Sequence, residues 1–192
     1  MDRFLQSLKD IDSINAEDPH LDTVEGQTFP KELLYSQRMT AMLNEFEPDA
    51  TEILRLSARA QHIKRWSIAR DSFPMDRKGY LQWRTQLKKF HGELAGSIMA
   101  KNGYSIEEIG RVDNLLNKRG LKTDVEAQTL EDVACLVFLK YYFDDFLTQH
   151  DDEKLVNILQ KTWRKMSDKG RKAALSLDLS TAAQALIEKA LV

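Results

Sequence analysis

The chain holds four histidines, His20, His62, His91 and His150. His91 sits within the series Tyr80, Trp83, Leu87, Phe90, Leu94 and Ile98, whose spacing of three and four marks one buried helix face. His62 falls in the segment AQHIKRW, late in another helical stretch. Glu131 and Asp132 open an apolar run, so at least one carboxylate of the pair turns inward. His62, His91 and Asp132 are therefore candidate ligands of a divalent metal. They would make a three-ligand site with open positions, built from three helices as bundle metal sites are. A plainer reading stands beside it. The histidines would be hydrogen-bonded core residues, and Asp132 would complement the positive end of its helix.

Charge gathers next to these residues. Between Arg59 and Lys89 there are nine basic side chains and two acidic ones, Asp71 and Asp76. Arginine grips phosphate through a planar fork, which makes Arg65, Arg70 and Arg84 candidate phosphate-binding residues. Trp66, Phe73, Tyr80 and Trp83 are interleaved, to stack on a base or to fill the core. A solvated basic face explains the same charge without a ligand.

Three other features suggest chemistry that their context does not support. Lys165-Met166-Ser167-Asp168-Lys169 resembles the KMSKS loop of class I aminoacyl-tRNA synthetases. That loop works beside a Rossmann nucleotide site, and no βαβ pattern occurs here, so the string reads as a helix end before Gly170. His150-Asp151 is a literal HD pair at a helix start, where Asp is the expected cap. Cys135, the single cysteine, reads as a small hydrophobe and excludes both a disulfide framework and a cysteine zinc site.

The elements that position these residues read as helices. All four prolines lie in the first 74 residues, and the remainder is rich in Leu, Ala, Lys, Glu and Gln. Helices are expected over about 2–12, 31–46, 49–66, 78–101, 106–119, 125–148 and 152–166, with two short ones after Gly170 and Ser180. Pro30 and Pro48 open the second and third. Ser105 and Glu108 form a capping box for the fifth, and Asp151 caps the seventh. From Val133 to Phe143 the sixth is apolar on nearly every side, as a central helix is. No Asn-Gly or Asp-Gly hairpin turn is seen, and residues 13–30 read as a connector. The expected fold class is all-α, a single domain over 1–192. Its core spans about 31–148, preceded by a helix and connector over 1–30 and followed by C-terminal helices over 151–192.

Composition agrees. Hydrophobic residues make up 42% and charged residues 30%, which fits a globular chain and excludes a disordered one. The net charge of −2 marks no general nucleic-acid or membrane binder. No apolar run reaches the roughly 18 residues of a membrane span. The acids in MDRFLQSLKDIDSINAEDP stand where a signal peptide is apolar, so a cytoplasmic location is expected.

The order of helices and motifs resembles the HD-domain superfamily, which binds metal and hydrolyses phosphate esters. LRLSARAQHIKRW is similar to its HD-pair helix, FHGELAGSIMAKNGYSIEEIGRVDNLL to the helix pair that follows, and LEDVACLVFL to the helix with the final aspartate. YSQRM stands where the first histidine is expected, the pair reads Gln61-His62, and Asp132 matches. Six strings together resemble a bacterial and eukaryotic family classed as domain of unknown function 4202, some of whose members are labelled glutamyl-tRNA synthetase. They are DSIN, PKELLYSQRM, RAQHIKRW, YLQWR, LEDVACLVFL and KTWRKMSDKG.

Two functions follow from these resemblances. One is a metal-dependent phosphohydrolase acting on a nucleotide or other phosphate ester. His62, His91 and Asp132 would hold the metal, Glu131 would serve as ligand or base, Gln61 would orient water or substrate, and Arg65, Arg70 and Arg84 would hold the phosphate. The other is a non-catalytic HD-like module that binds a phosphorylated small molecule or RNA with the same basic segment.

Overall fold

The computed structural model describes residues 2–191. The chain is mostly α, with ten α-helices and one two-stranded sheet among the described residues, and it forms two compact units, Met1–Gly120 and Leu121–Val192. No described helix is long and apolar enough to cross a membrane.

The first unit contains α1 (Arg3–Asn15), a hairpin of β1 (Leu21–Val24) and β2 (Gln27–Pro30), α2 (Lys31–Phe46), α3 (Glu52–Ala60), α4 (Arg77–Lys101) and α5 (Ile106–Leu116). Its core joins Ile11 of α1, Leu56 and Ala60 of α3, Ile98 and Met99 of α4, and Val112 and Leu116 of α5. The capping box of Ser105 and Glu108 forms as its spacing predicts.

The hairpin is a correction to the connector expected over 13–30. Its turn is Glu25-Gly26, both at positive φ (50° and 77°). That is the conformation a two-residue hairpin turn requires, here with Glu where Asn or Asp would have signalled it. The hairpin also explains how α2 starts. Pro30 offers no side-chain cap, and buried Asp18 accepts from the Glu32 N–H at 3.0 Å instead.

A second correction concerns the third helix, expected to run to 66. It stops at Ala60 because the chain is captured from outside the helix. Asn15 Oδ1 accepts from the Lys64 N–H at 3.0 Å, and Lys64 adopts a left-handed φ of 51°. Arg59 holds Asp12 through two bonds of 2.6 and 2.7 Å, fixing α1 against α3. DSIN and RAQHIKRW therefore act as one device: the first string shapes the turn that carries His62 and Arg65.

The second unit contains α6 (Val125–Tyr141), α7 (Phe143–Gln149), α8 (Asp152–Lys165), α9 (Asp168–Leu175) and α10 (Thr181–Leu191). Asp151 caps α8 as expected. The helix expected over 125–148 breaks at Tyr142, where φ −128° and ψ −15° leave the helical region and Phe143 becomes fully buried. Asp132, 2% exposed, binds the start of α9. Its carboxylate accepts from the Ser167 N–H (2.8 Å), the Ser167 hydroxyl and the Gln128 amide (3.1 Å). Gly170 lies so close that an added Cβ would meet Asp132 Cγ at 2.6 Å. Glu131 Oε1 lies 3.7 Å from Lys165 Nζ. The KMSDKG string is thus the junction of two helices: Lys165 ends α8, Ser167 caps α9, and Asp132 holds Ser167.

Candidate phosphate-binding pocket

A pocket of about 190 Å³ in the first unit is lined by Gln61, His62, Arg65, Tyr80, Trp83, Arg84, Leu87, Lys88, His91, Leu116 and Lys118. Its parts come from four places. The turn after α3 supplies Gln61, His62 and Arg65. One face of α4 supplies Tyr80, Arg84, Lys88 and His91, at the three- and four-residue spacing of helix neighbours. The end of α5 supplies Leu116 and Lys118. Helix α2 stands behind with Glu32 and Tyr35, one turn apart.

Close packing of α4 and α5 makes this possible. A Cβ on Gly92 would lie 2.3 Å from Asp113 Oδ1, so a larger residue there displaces the Asp113 side chain. Lys118 follows α5 in a left-handed conformation, φ 59°, as Lys64 does beside Arg65. A non-glycine residue is strained there by roughly 1–2 kcal/mol. Lys118→Gly is therefore expected to hold or slightly raise the thermal midpoint, although it removes a side chain. A fall of several degrees in a calorimetric scan would refute this account of the turn.

The histidines are anchored through Nδ1. His91, 3% exposed, donates from Nδ1 to the Ile63 carbonyl at 2.9 Å. That bond places its proton and leaves Nε2 an acceptor. His62 stacks on Tyr35, with ring centroids 4.1 Å apart and planes 11° from parallel. Its Nδ1 faces Glu32 Oε2 at 3.4 Å, which favours the same tautomer. The two imidazole centroids are 6.1 Å apart. Burial pushes the His91 pKa down to about 3, with further lowering from His62 and Arg65. Desolvation also lowers His62. Glu32 opposes that shift, while Arg65 and Lys118 reinforce it. Both shifts favour the neutral imidazole.

Gln61 is 9% exposed, and its Oε1 is buried without a hydrogen-bond partner among the described residues. Arg65 lies over the Trp83 ring, 4.8 Å from its centroid, with Glu32 Oε1 at 3.8 Å. Trp83 is itself fixed by donating from Nε1 to the Ile68 carbonyl at 2.8 Å. Arg84 donates to the Tyr80 hydroxyl at 3.3 Å.

Of the residues singled out in the sequence, Gln61, His62, Arg65, Arg84 and His91 share this pocket. Arg70 lines a neighbouring cleft of about 490 Å³, and its guanidinium donates to the Phe73 and Asp76 carbonyls at 3.2 Å. Asp132 and Glu131 belong to the second unit and hold the contacts described there. Among the described residues no group of three or more His, Cys, Asp or Glu side chains is placed to hold a metal ion. Sequence reasoning missed three contributors. Glu32 sits in a helix first turn, where an acid already has a reason to be. Lys118 lies outside the basic segment. Lys88 lies within it but looked like any solvated lysine.

The family described as a domain of unknown function (DUF4202) matches residues 5–187. No curated protein and no solved structure matches the chain.

Proposed function

The chain belongs to the DUF4202 family, and from that premise we propose that it binds a phosphorylated small molecule in the His62–His91 pocket. The observation that carries this reading is the lining. Arg65, Arg84, Lys88 and Lys118 border one small concavity with two neutral imidazoles. Cations converging on a partly desolvated site attract an anion, and guanidinium forks suit phosphate. The left-handed turns at Lys64 and Lys118 add support, since strained backbone gathers at binding sites.

Calorimetric titration of the full chain with inorganic phosphate at low salt tests it. Saturable binding is expected, weakened at least tenfold in the Arg84→Gln/Lys88→Gln double variant and falling as salt rises. Absence of saturable binding in the wild type would reject the proposal.

A metal-dependent phosphohydrolase is the second reading, favoured by the acceptor Nε2 atoms of the two histidines. His62 and His91 would be its ligands. The pocket's own residues fit a metal incompletely, because four cationic side chains oppose a bare dication. Metal content of tag-free protein, beside His62→Ala and His91→Ala, separates the two readings.

A further inference from the structure

The pocket has two chemically distinct walls. One is cationic. The other is lined by Gln61, whose buried Oε1 has no partner among the described residues, and by His62 and His91, whose Nδ1 atoms face the Glu32 carboxylate and the Ile63 carbonyl and leave Nε2 to accept. A doubly ionised phosphate ester, the main form above its second pKa of about 6, answers the first wall and leaves the second unanswered, because it brings acceptors and no donor. A buried acceptor without a donor is destabilising, which favours a bound molecule that carries donors of its own.

We infer that the ligand is a polyol or sugar phosphate, whose hydroxyl groups donate to Gln61, His62 and His91 while its phosphate meets the cations. This rests on the phosphate reading above and narrows its substrate class. The charge of the site selects hydroxyls among the alternatives. An ammonium group also donates, but the same lysines and arginines repel it, as they repel a metal dication. The size of the pocket points the same way. At about 190 Å³ it falls below the roughly 300–1,000 Å³ of sites for drug-sized ligands, which suits a compact molecule. A site built to hydrogen-bond a hydroxyl also discriminates strongly against an analogue lacking it, because the analogue displaces water without replacing its bonds.

The test compares glycerol 1-phosphate, ribose 5-phosphate and glucose 6-phosphate with n-propyl phosphate and inorganic phosphate. Each is titrated calorimetrically into the full chain at one pH and salt concentration, with EDTA present. At least one polyol phosphate is expected to bind tenfold or more tightly than propyl phosphate. Gln61→Leu and Gln61→Met are expected to narrow that preference to less than threefold. Propyl phosphate binding as tightly as every polyol phosphate would overturn the inference and leave phosphate binding standing. A polyol preference that appears only when EDTA is replaced by zinc or manganese would also overturn it, since the acceptors would then hold a metal. Failure of every compound, inorganic phosphate included, would bring down the phosphate reading itself.

Discussion

Asp132→Ala is expected to lower stability by about 3 kcal/mol, read from the midpoint of urea unfolding. Asp132 is almost fully buried and accepts from the backbone and hydroxyl of Ser167 and from Gln128. Truncation removes a charged acceptor and strands its donors, a combination that lies at the high end of single-substitution effects. A double-mutant cycle makes the cause specific. Gly170→Ala alone drives a methyl into the Asp132 carboxylate and is expected to destabilise. In the Asp132→Ala background its penalty should shrink, because the carboxylate carbon and oxygen it meets are gone. Simple additivity of the two changes would contradict this account of how α9 is held. An Asp132→Ala protein as stable as the wild type would contradict it outright.

Acid should destabilise the first unit through His91. The group is neutral in the folded state, its pKa lowered to about 3 by burial, against an ordinary value of 6.5. A depressed histidine contributes stability that is fully present above pH 6.5 and is lost as pH falls toward 3, because the unfolded chain binds the proton first. The slope is about 1.4 kcal/mol per pH unit, so lowering pH from 6.5 to 5 costs about 2 kcal/mol. His62 acts in the same direction, tempered by the exposed third of its ring and by Glu32. His91→Gln, which can still donate to the Ile63 carbonyl, should flatten this limb of the profile. An acid limb equally steep in that variant would show that other groups cause the loss.

Local chemistry made most of the fold legible. The caps at Ser105 and Asp151 are decided within a few residues, and they stand where their spacing puts them. Features decided at long range stayed hidden. Neither Gly nor Pro marks the end of α3; a side chain from α1, Asn15, ends it. The break at Tyr142 is marked by neither Gly nor Pro: it falls in the aromatic and acidic run YYFDD, where Phe143 is buried.

The candidate site shows the same division. The α4 stripe predicted that His91 is buried, while local charge grouped Arg65, Arg70 and Arg84, of which Arg65 and Arg84 line the pocket and Arg70 lines a neighbouring cleft. Periodicity reports which face of a helix is covered, not which helix covers it. Neither the Glu32 and Tyr35 support behind His62 nor the arrival of Lys118 was visible for that reason. Asp132, chosen for its residue type, proves to be bonded to Ser167 in a turn that the sequence presented as a synthetase-like string.

The most direct test of the central claim is a histidine-ring ¹H–¹⁵N NMR titration of the full chain at pH 7 with inorganic phosphate. Free protein should show His62 and His91 neutral and protonated on Nδ1. Saturating shifts should then appear at both rings, and they should vanish in Arg84→Gln/Lys88→Gln. Rings that stay unmoved at every phosphate concentration, while remaining neutral and ordered, would contradict the assignment of this pocket as the binding site.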